Sequence, residues 1–175
     1  MGGAPTDVLR STGGARPADE RATLLEYLRT NRLILRMKCE GLTPEQLAAR
    51  SVEPSTVSLL GPTRRLAAVE QSGMVRVMAG HLEIPQPFSS TTDRDEDFTG
   101  TVADPAMVAD ALWEESCTFT DAWVAAHDLS ETGDMGGGYG PVSLREVPVQ
   151  LIEEYARHNG HADPLRGRID GRTGQ

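Results

Sequence analysis

The chain has 175 residues, which is enough for one domain with a hydrophobic core and too few for two of ordinary size. Its 17 basic and 26 acidic side chains give a formal charge of −9, which argues against nucleic acid as a partner. The sequence lacks an apolar run of the roughly 20 residues that a membrane helix needs, and its N-terminus lacks a signal-like segment. We therefore expect a cytoplasmic protein that does not insert into membranes.

The chain begins with a predicted flexible segment and two predicted helices. Residues 1–18 are rich in glycine, proline and small side chains and show no periodicity, which predicts a flexible N-terminal segment. From Asp19 to Gly41 leucines recur at helical spacing, which predicts helix one. After a linking stretch, helix two is predicted over residues 58–79, although Pro62 and Gly73 lie within it.

The second half alternates long connections with two further predicted helices. Residues 80–103 are acidic, contain proline and lack periodicity, which predicts a long crossover loop. Asp104 followed by proline opens helix three. The glycine-rich stretch 130–141 ends that helix, and it does not follow the pattern of a phosphate-binding loop. Helix four opens near Ser143, and Pro164 is predicted to end or bend it.

These elements predict an all-α fold, a four-helix bundle that spans residues 19–171 and is followed by a short tail, 172–175. Bundles of this kind build ligand and metal sites from side chains that face inward on neighbouring helices. Cys39 and Cys117 lack the short spacing of a metal site, so we expect both to be buried free thiols.

The densest group of chemically active side chains lies on helix four, in the stretch EEYARHNGH. His158 lies about 40° round the helix from Glu154 and His161 about 20° to the other side, so the three share one stripe with Gln150. Apolar neighbours indicate that this stripe faces the core, where polar groups need partners. Tyr155 lies about 100° from Glu154, which predicts a position at the edge of a pocket.

Glu154 and His158 have the spacing of two ligands to one divalent metal ion. Two ligands are insufficient, and a third would have to come from a facing helix. A hydrogen-bonded pair on one helix explains the same spacing. The residues alone leave both interpretations open.

Two motifs, KCEGLTPEQLAARSVEPSTVSLLG and LIEEYARHNGHAD, resemble the DinB-like (YfiT-like) superfamily, in particular an actinobacterial branch related to mycothiol-dependent maleylpyruvate isomerase. The resemblance runs from about Asp19 to about Gly171 and implies a bundle with long crossover loops. It also implies a divalent metal, often zinc or nickel, held by a histidine on helix two and a Glu/His-x-x-x-His pair on the last helix. Glu154 and His158 match that pair. In thiol-dependent members, the metal lowers the pKa of a bound thiol such as mycothiol.

The chain departs from this family pattern around the expected site. Relatives carry a histidine on helix two where this chain has Arg65, and arginine stays protonated and cannot ligate a metal. The aromatic cluster that usually follows is reduced to QSGM, which ends at Met74 and predicts a wider pocket. One hypothesis is that Arg65 pairs with Glu154 in place of the metal's charge, while His158 serves as general acid or base. A working metal site, or an Arg65 that points outward from a decayed site, are the other hypotheses.

The sequence thus predicts a small-molecule transferase or isomerase, dependent on a thiol such as mycothiol and carrying a degenerate metal site. One alternative is a metal-free acid/base isomerase or cyclase acting on a bulky small molecule. The other is a non-catalytic ligand-binding or stress-response bundle protein, and a homodimer is a further prediction. The predicted catalytic residues are Arg65, Glu154 and His158, and the predicted substrate-binding residues are Gln150, His161, Tyr155 and Met74.

Overall fold

A computed structural model describes residues 19–88 and 104–174, except for the side chains of 104–108. The predicted segment 1–18 and most of the predicted loop 80–103 lie outside the described residues. Helix dominates the described part, which confirms the all-α prediction. The elements in chain order are α1 (Glu20–Cys39), α2 (Pro44–Ala48), α3 (Leu60–Gln71), a π-helical segment (Ser72–Met78), α4 (Asp104–Ala126), β1 (Thr132–Asp134), β2 (Pro141–Ser143) and α5 (Glu146–Asp170).

The four long helices pack as the predicted bundle. α1 packs chiefly on α5 and α3 on α4, while α3 also contacts α5. Their apolar faces meet in one main core, as the leucine periodicity of α1 requires. Within residues 19–88 and 104–174, none of the helices combines the length and apolar character that crossing a membrane requires. Fully buried side chains of this core include Leu28, Leu35, Leu66, Met74, Val124, Leu151 and Tyr155.

α3 continues directly into the π-helical segment, and a short β-hairpin packs against that segment. β1 and β2 pair antiparallel, with Gly133 opposite Val142. A Cβ atom on Gly133 would lie 2.5 Å from the carbonyl oxygen of Val77, so only glycine permits this approach. Between the strands, Gly136 and Gly140 adopt positive φ angles of 70° and 82°. The sequence analysis predicted neither the π-helical geometry nor the hairpin.

α5 extends beyond the proline that was predicted to end or bend it. Pro164 lies within the helix, which continues to Asp170 and ends at Gly171 with a φ of 79°. The prediction of an end at Pro164 is therefore wrong. Tertiary contacts hold the last turns, because Arg166 Nη1 donates to the backbone oxygens of Lys38 at 2.9 Å and Glu40 at 2.8 Å. These bonds tie the end of α5 to the end of α1.

Candidate functional site

The three predicted catalytic side chains meet between α3 and α5, and we call them the site cluster: Arg65, Glu154 and His158. Glu154 Oε2 lies 4.0 Å from Arg65 Nε and 3.5 Å from His158 Nε2. The other carboxylate oxygen, Oε1, accepts a hydrogen bond of 2.9 Å from Arg157 Nη1 on the outer side of α5. One carboxylate thus joins a guanidinium on α3 to an imidazole on its own helix.

The three side chains of the site cluster differ in their exposure to solvent, from the partly exposed Arg65 to the buried His158. The side chain of Arg65 is 35% exposed, that of Glu154 14%, and that of His158 5%. Burial lowers the pKa of His158, and the neighbouring His161 and Arg65 lower it further, while Glu154 acts in the opposite direction. His158 is therefore a neutral imidazole at pH 7, able to accept a proton.

A cavity of about 130 Å³, which we call the site cavity, opens beside Arg65. Gln150 on α5 lines it, as does Met135 in the hairpin turn. Of the stretch predicted to widen the pocket, Ser72 and Gly73 line the cavity. The walls are otherwise mainly apolar. The volume is below the roughly 300–1,000 Å³ of pockets that enclose drug-sized ligands, so a bound molecule would place only a small part of itself here.

The other predicted substrate-binding residues lie in different surroundings. Met74 and Tyr155 are fully buried in the core and have no exposed surface with which to meet a ligand. His161 is exposed on α5, and its ring centroid lies 5.5 Å from that of His158. It lines a second cavity of about 230 Å³ together with Val57 and other apolar residues. Gln150 and His161 therefore lie at opposite ends of the stripe that carries the site cluster.

The residues around Glu154 do not fit the metal site that the resemblance implies. Arg65 holds the facing position on α3, and its guanidinium stays protonated and repels a cation. In the part of the chain that the structure describes, no three His, Cys, Asp or Glu side chains converge on one point. A divalent ion held by Glu154 and His158 would thus lack a third protein ligand from those residues.

Neither cysteine supplies a reactive thiolate. Burial raises the pKa of Cys39 to about 11. Burial also raises the pKa of Cys117, and the nearby carboxylate of Glu70 raises it further. Both cysteines are free and partly buried. A thiolate for chemistry at neutral pH would have to come from a bound molecule.

A buried polar network next to the site cluster was missed by the sequence analysis. We call it the core network: Arg32, Glu70, Trp113, Cys117, Asp121 and Tyr155. Glu70 is fully buried and binds Arg32 through both oxygens, at 2.8 and 2.6 Å. Tyr155 donates to Glu70 Oε1 at 2.5 Å and accepts from the indole nitrogen of Trp113. The available signal was a charged residue, Glu70, on the apolar face of helix two.

Comparison with protein-family models matches residues 23–171 to the family described as Mycothiol-S-transferase. The match covers nearly all of the described residues. It confirms the resemblance to the DinB-like superfamily, to which that family belongs. No curated protein sequence matches the chain.

Proposed function

Because the chain belongs to the mycothiol-S-transferase family, we propose that it is an enzyme that transfers a low-molecular-weight thiol such as mycothiol to a small electrophilic molecule. The observation that carries the proposal is the meeting of Arg65, Glu154 and His158, of which Arg65 lines the site cavity. A neutral base and a fixed positive charge at one place are what thiol activation requires without a metal.

In this proposal His158 is the general base. Its imidazole takes the proton from the thiol, and Glu154 Oε2, which lies 3.5 Å from Nε2, stabilises the imidazolium that forms. The guanidinium of Arg65 stabilises the negative charge on sulfur. The buried position of His158 supports this role, since it favours the neutral form before the reaction.

The transfer step balances with these groups alone. The thiolate sulfur forms a bond to the electrophilic carbon of the second substrate while the bond from that carbon to its leaving group breaks. The leaving group departs with the electron pair of that bond and takes up the proton held by His158. The products are a thioether and the protonated leaving group, and the site cluster returns to its starting state.

The site cavity, which meets the cluster at Arg65, limits the part of a substrate that can enter. Its mainly apolar walls and its volume of about 130 Å³ suit the reacting end of a molecule whose remainder lies outside. The amide of Gln150 offers one hydrogen-bonding group at the wall. A cytoplasmic location and a homodimer remain predictions.

The proposal is tested by assaying tag-free protein for consumption of mycothiol with a panel of small electrophiles, with and without a chelator. We expect turnover that requires the thiol and withstands the chelator. Arg65→Met and His158→Gln should each lower kcat/KM about 100-fold, the typical loss on removing a positioned acid, base or charge.

Arg157→Met is the matched control, because Arg157 also contacts Glu154 but lies on the exposed side of α5. It should keep kcat/KM within about threefold of the unsubstituted protein, since an exposed ion pair contributes little. Equal activity in Arg65→Met would contradict the proposal. Turnover of a substrate without any thiol would favour the acid/base isomerase or cyclase instead.

A further inference from the structure

The carboxylate of Glu70 is the centre of the core network. It is fully buried, and it receives hydrogen bonds from three other helices: from Arg32 on α1, Cys117 on α4 and Tyr155 on α5. Arg32 also binds Asp121 on α4 at 2.7 Å. Replacing a buried ion pair by apolar residues often leaves stability unchanged or improved, so stability alone gives little reason to keep such a group. Buried networks can instead fix one arrangement of the helices.

The core network and the site cluster link the same two helices at neighbouring positions. Arg65 and Glu70 both lie on α3, little more than one turn apart. Their partners Glu154 and Tyr155 are consecutive residues of α5. Because consecutive helical residues point about 100° apart, Tyr155 reaches into the core while Glu154 faces Arg65.

We infer that Glu70 and Tyr155 are positioning residues for the proposed reaction: their buried hydrogen bond fixes the rotation of α5 that sets Glu154 and His158 against Arg65. The inference rests on the proposed function for its effect on turnover, whereas its geometric part stands on the contacts alone.

A small rotation of a helix about its axis displaces the ends of its side chains by a larger distance than it displaces the backbone. A functional group about 6 Å from the axis moves about 2 Å when the helix rotates by about 20°. A misplacement of about 1 Å can cost about 100-fold in rate. The 4.0 Å separation between Arg65 Nε on α3 and Glu154 Oε2 on α5 would not survive such a rotation. The nearby packing is mainly apolar, and such packing does not select one rotation of the helix as specifically as a directed hydrogen bond does.

The test is Tyr155→Phe, which removes one oxygen and keeps the aromatic ring. We expect kcat to fall by about tenfold or more while KM stays within about twofold. The surfaces that bind the substrate stay intact in this variant, whereas the geometry at the reacting atoms changes. Glu70→Gln is a second variant, which keeps the shape of the side chain and should act in the same direction. Val124→Ala is the matched control: it weakens the fully buried core on α4 without removing any hydrogen bond of the network, and it should lower the melting temperature but leave kcat unchanged.

A second readout needs no turnover. The NMR signals of the Arg65 Nε–H group and the His158 ring should shift in Tyr155→Phe and Glu70→Gln, and stay in place in Val124→Ala. If the protein proves to lack thiol-transfer activity, these signals still decide the geometric inference. If the signals are unchanged, and kcat in any variant assayed stays within about twofold of that of the unsubstituted protein, the network only stabilises the fold.

Discussion

Arg65 stands where the family resemblance implies a histidine, and in the proposed function this position determines whether the site can hold a metal. A histidine there would complete three ligands with Glu154 and His158, whereas the guanidinium places a permanent positive charge in the same space. The atom of Arg65 nearest to Glu154 is Nε, 4.0 Å from Oε2, and not the far end of the guanidinium. A histidine ring reaches about as far from the backbone as that atom.

We therefore predict that Arg65→His creates a metal site. The variant should take up about one zinc or nickel ion per chain, measured by elemental analysis after dialysis, since three protein ligands are the usual minimum for an open site. Arg65→Lys is the control and should take up no more than the unsubstituted protein. Absence of the ion from Arg65→His would contradict the prediction, and about one ion in both proteins would mean that a third ligand lies elsewhere in the chain.

The sequence was informative about the site cluster and uninformative about the core network. Helical spacing brings Glu154 and His158 onto one stripe, and the family pattern supplied Arg65 as the facing residue. The sequence predicts a pocket edge for Tyr155, although its angle on the helix is equally compatible with the core. Only the facing helix decides between them, and Glu70, which binds Tyr155, lies far away in sequence.

At the level of elements, the π-helical segment and the hairpin show what periodicity cannot predict. Apolar spacing identifies a helix but does not distinguish a local widening of its turns, and π-helical turns often occur near functional sites. Here the segment supplies Ser72 and Gly73 to the wall of the site cavity. The sequence does not predict the hairpin, because its strands have only three residues each, Thr132–Asp134 and Pro141–Ser143. Three residues are too few to show the alternation of apolar and polar side chains that is typical of a strand.

Two glycine substitutions should have opposite effects on stability, one at the contact between these two elements and one on the exposed side of α5. Gly133→Ala should lower the free energy of unfolding by about 1–3 kcal/mol, because its Cβ would press on the backbone of Val77. Gly160→Ala should raise it by up to about 1 kcal/mol, because Gly160 lies exposed in α5 with open space around it. Urea unfolding measures both. Equal stability of Gly133→Ala and the unsubstituted protein would show that the hairpin moves away from the π-helical segment at no cost.

For the whole molecule, the burial of His158 predicts a loss of stability in mild acid. Its folded pKa lies below the ordinary value of 6.5, so the unfolded chain binds more protons at pH values between the two. The contribution of His158 is thus complete above about pH 6.5 and is lost as the pH falls through the folded pKa. Arg65, facing it from α3, and His161, beside it on α5, strengthen the shift, while Glu154 opposes it.

The free energy of unfolding should therefore decrease as the pH falls below about 6.5, where ordinary carboxylates are still ionised. His158→Gln should show a flatter pH dependence in urea unfolding. His161→Gln, which removes an exposed imidazole from the same helix, should keep most of the slope. A slope that His158→Gln leaves unchanged would assign the acid sensitivity to other groups.

The burial of Glu70 also bears on how the stability of this bundle is shared among its helices. The carboxylate draws its donors from α1, α4 and α5, so detaching any of these helices would leave part of a buried charge without compensation, at a cost of several kcal/mol. Each helix is thus stabilised by the presence of the others. Substitutions on different helices that meet at Glu70 are not independent, and the changes that they cause in the free energy of unfolding do not add. The bundle is therefore stabilised as one cooperative unit, and no single helix has that stability by itself.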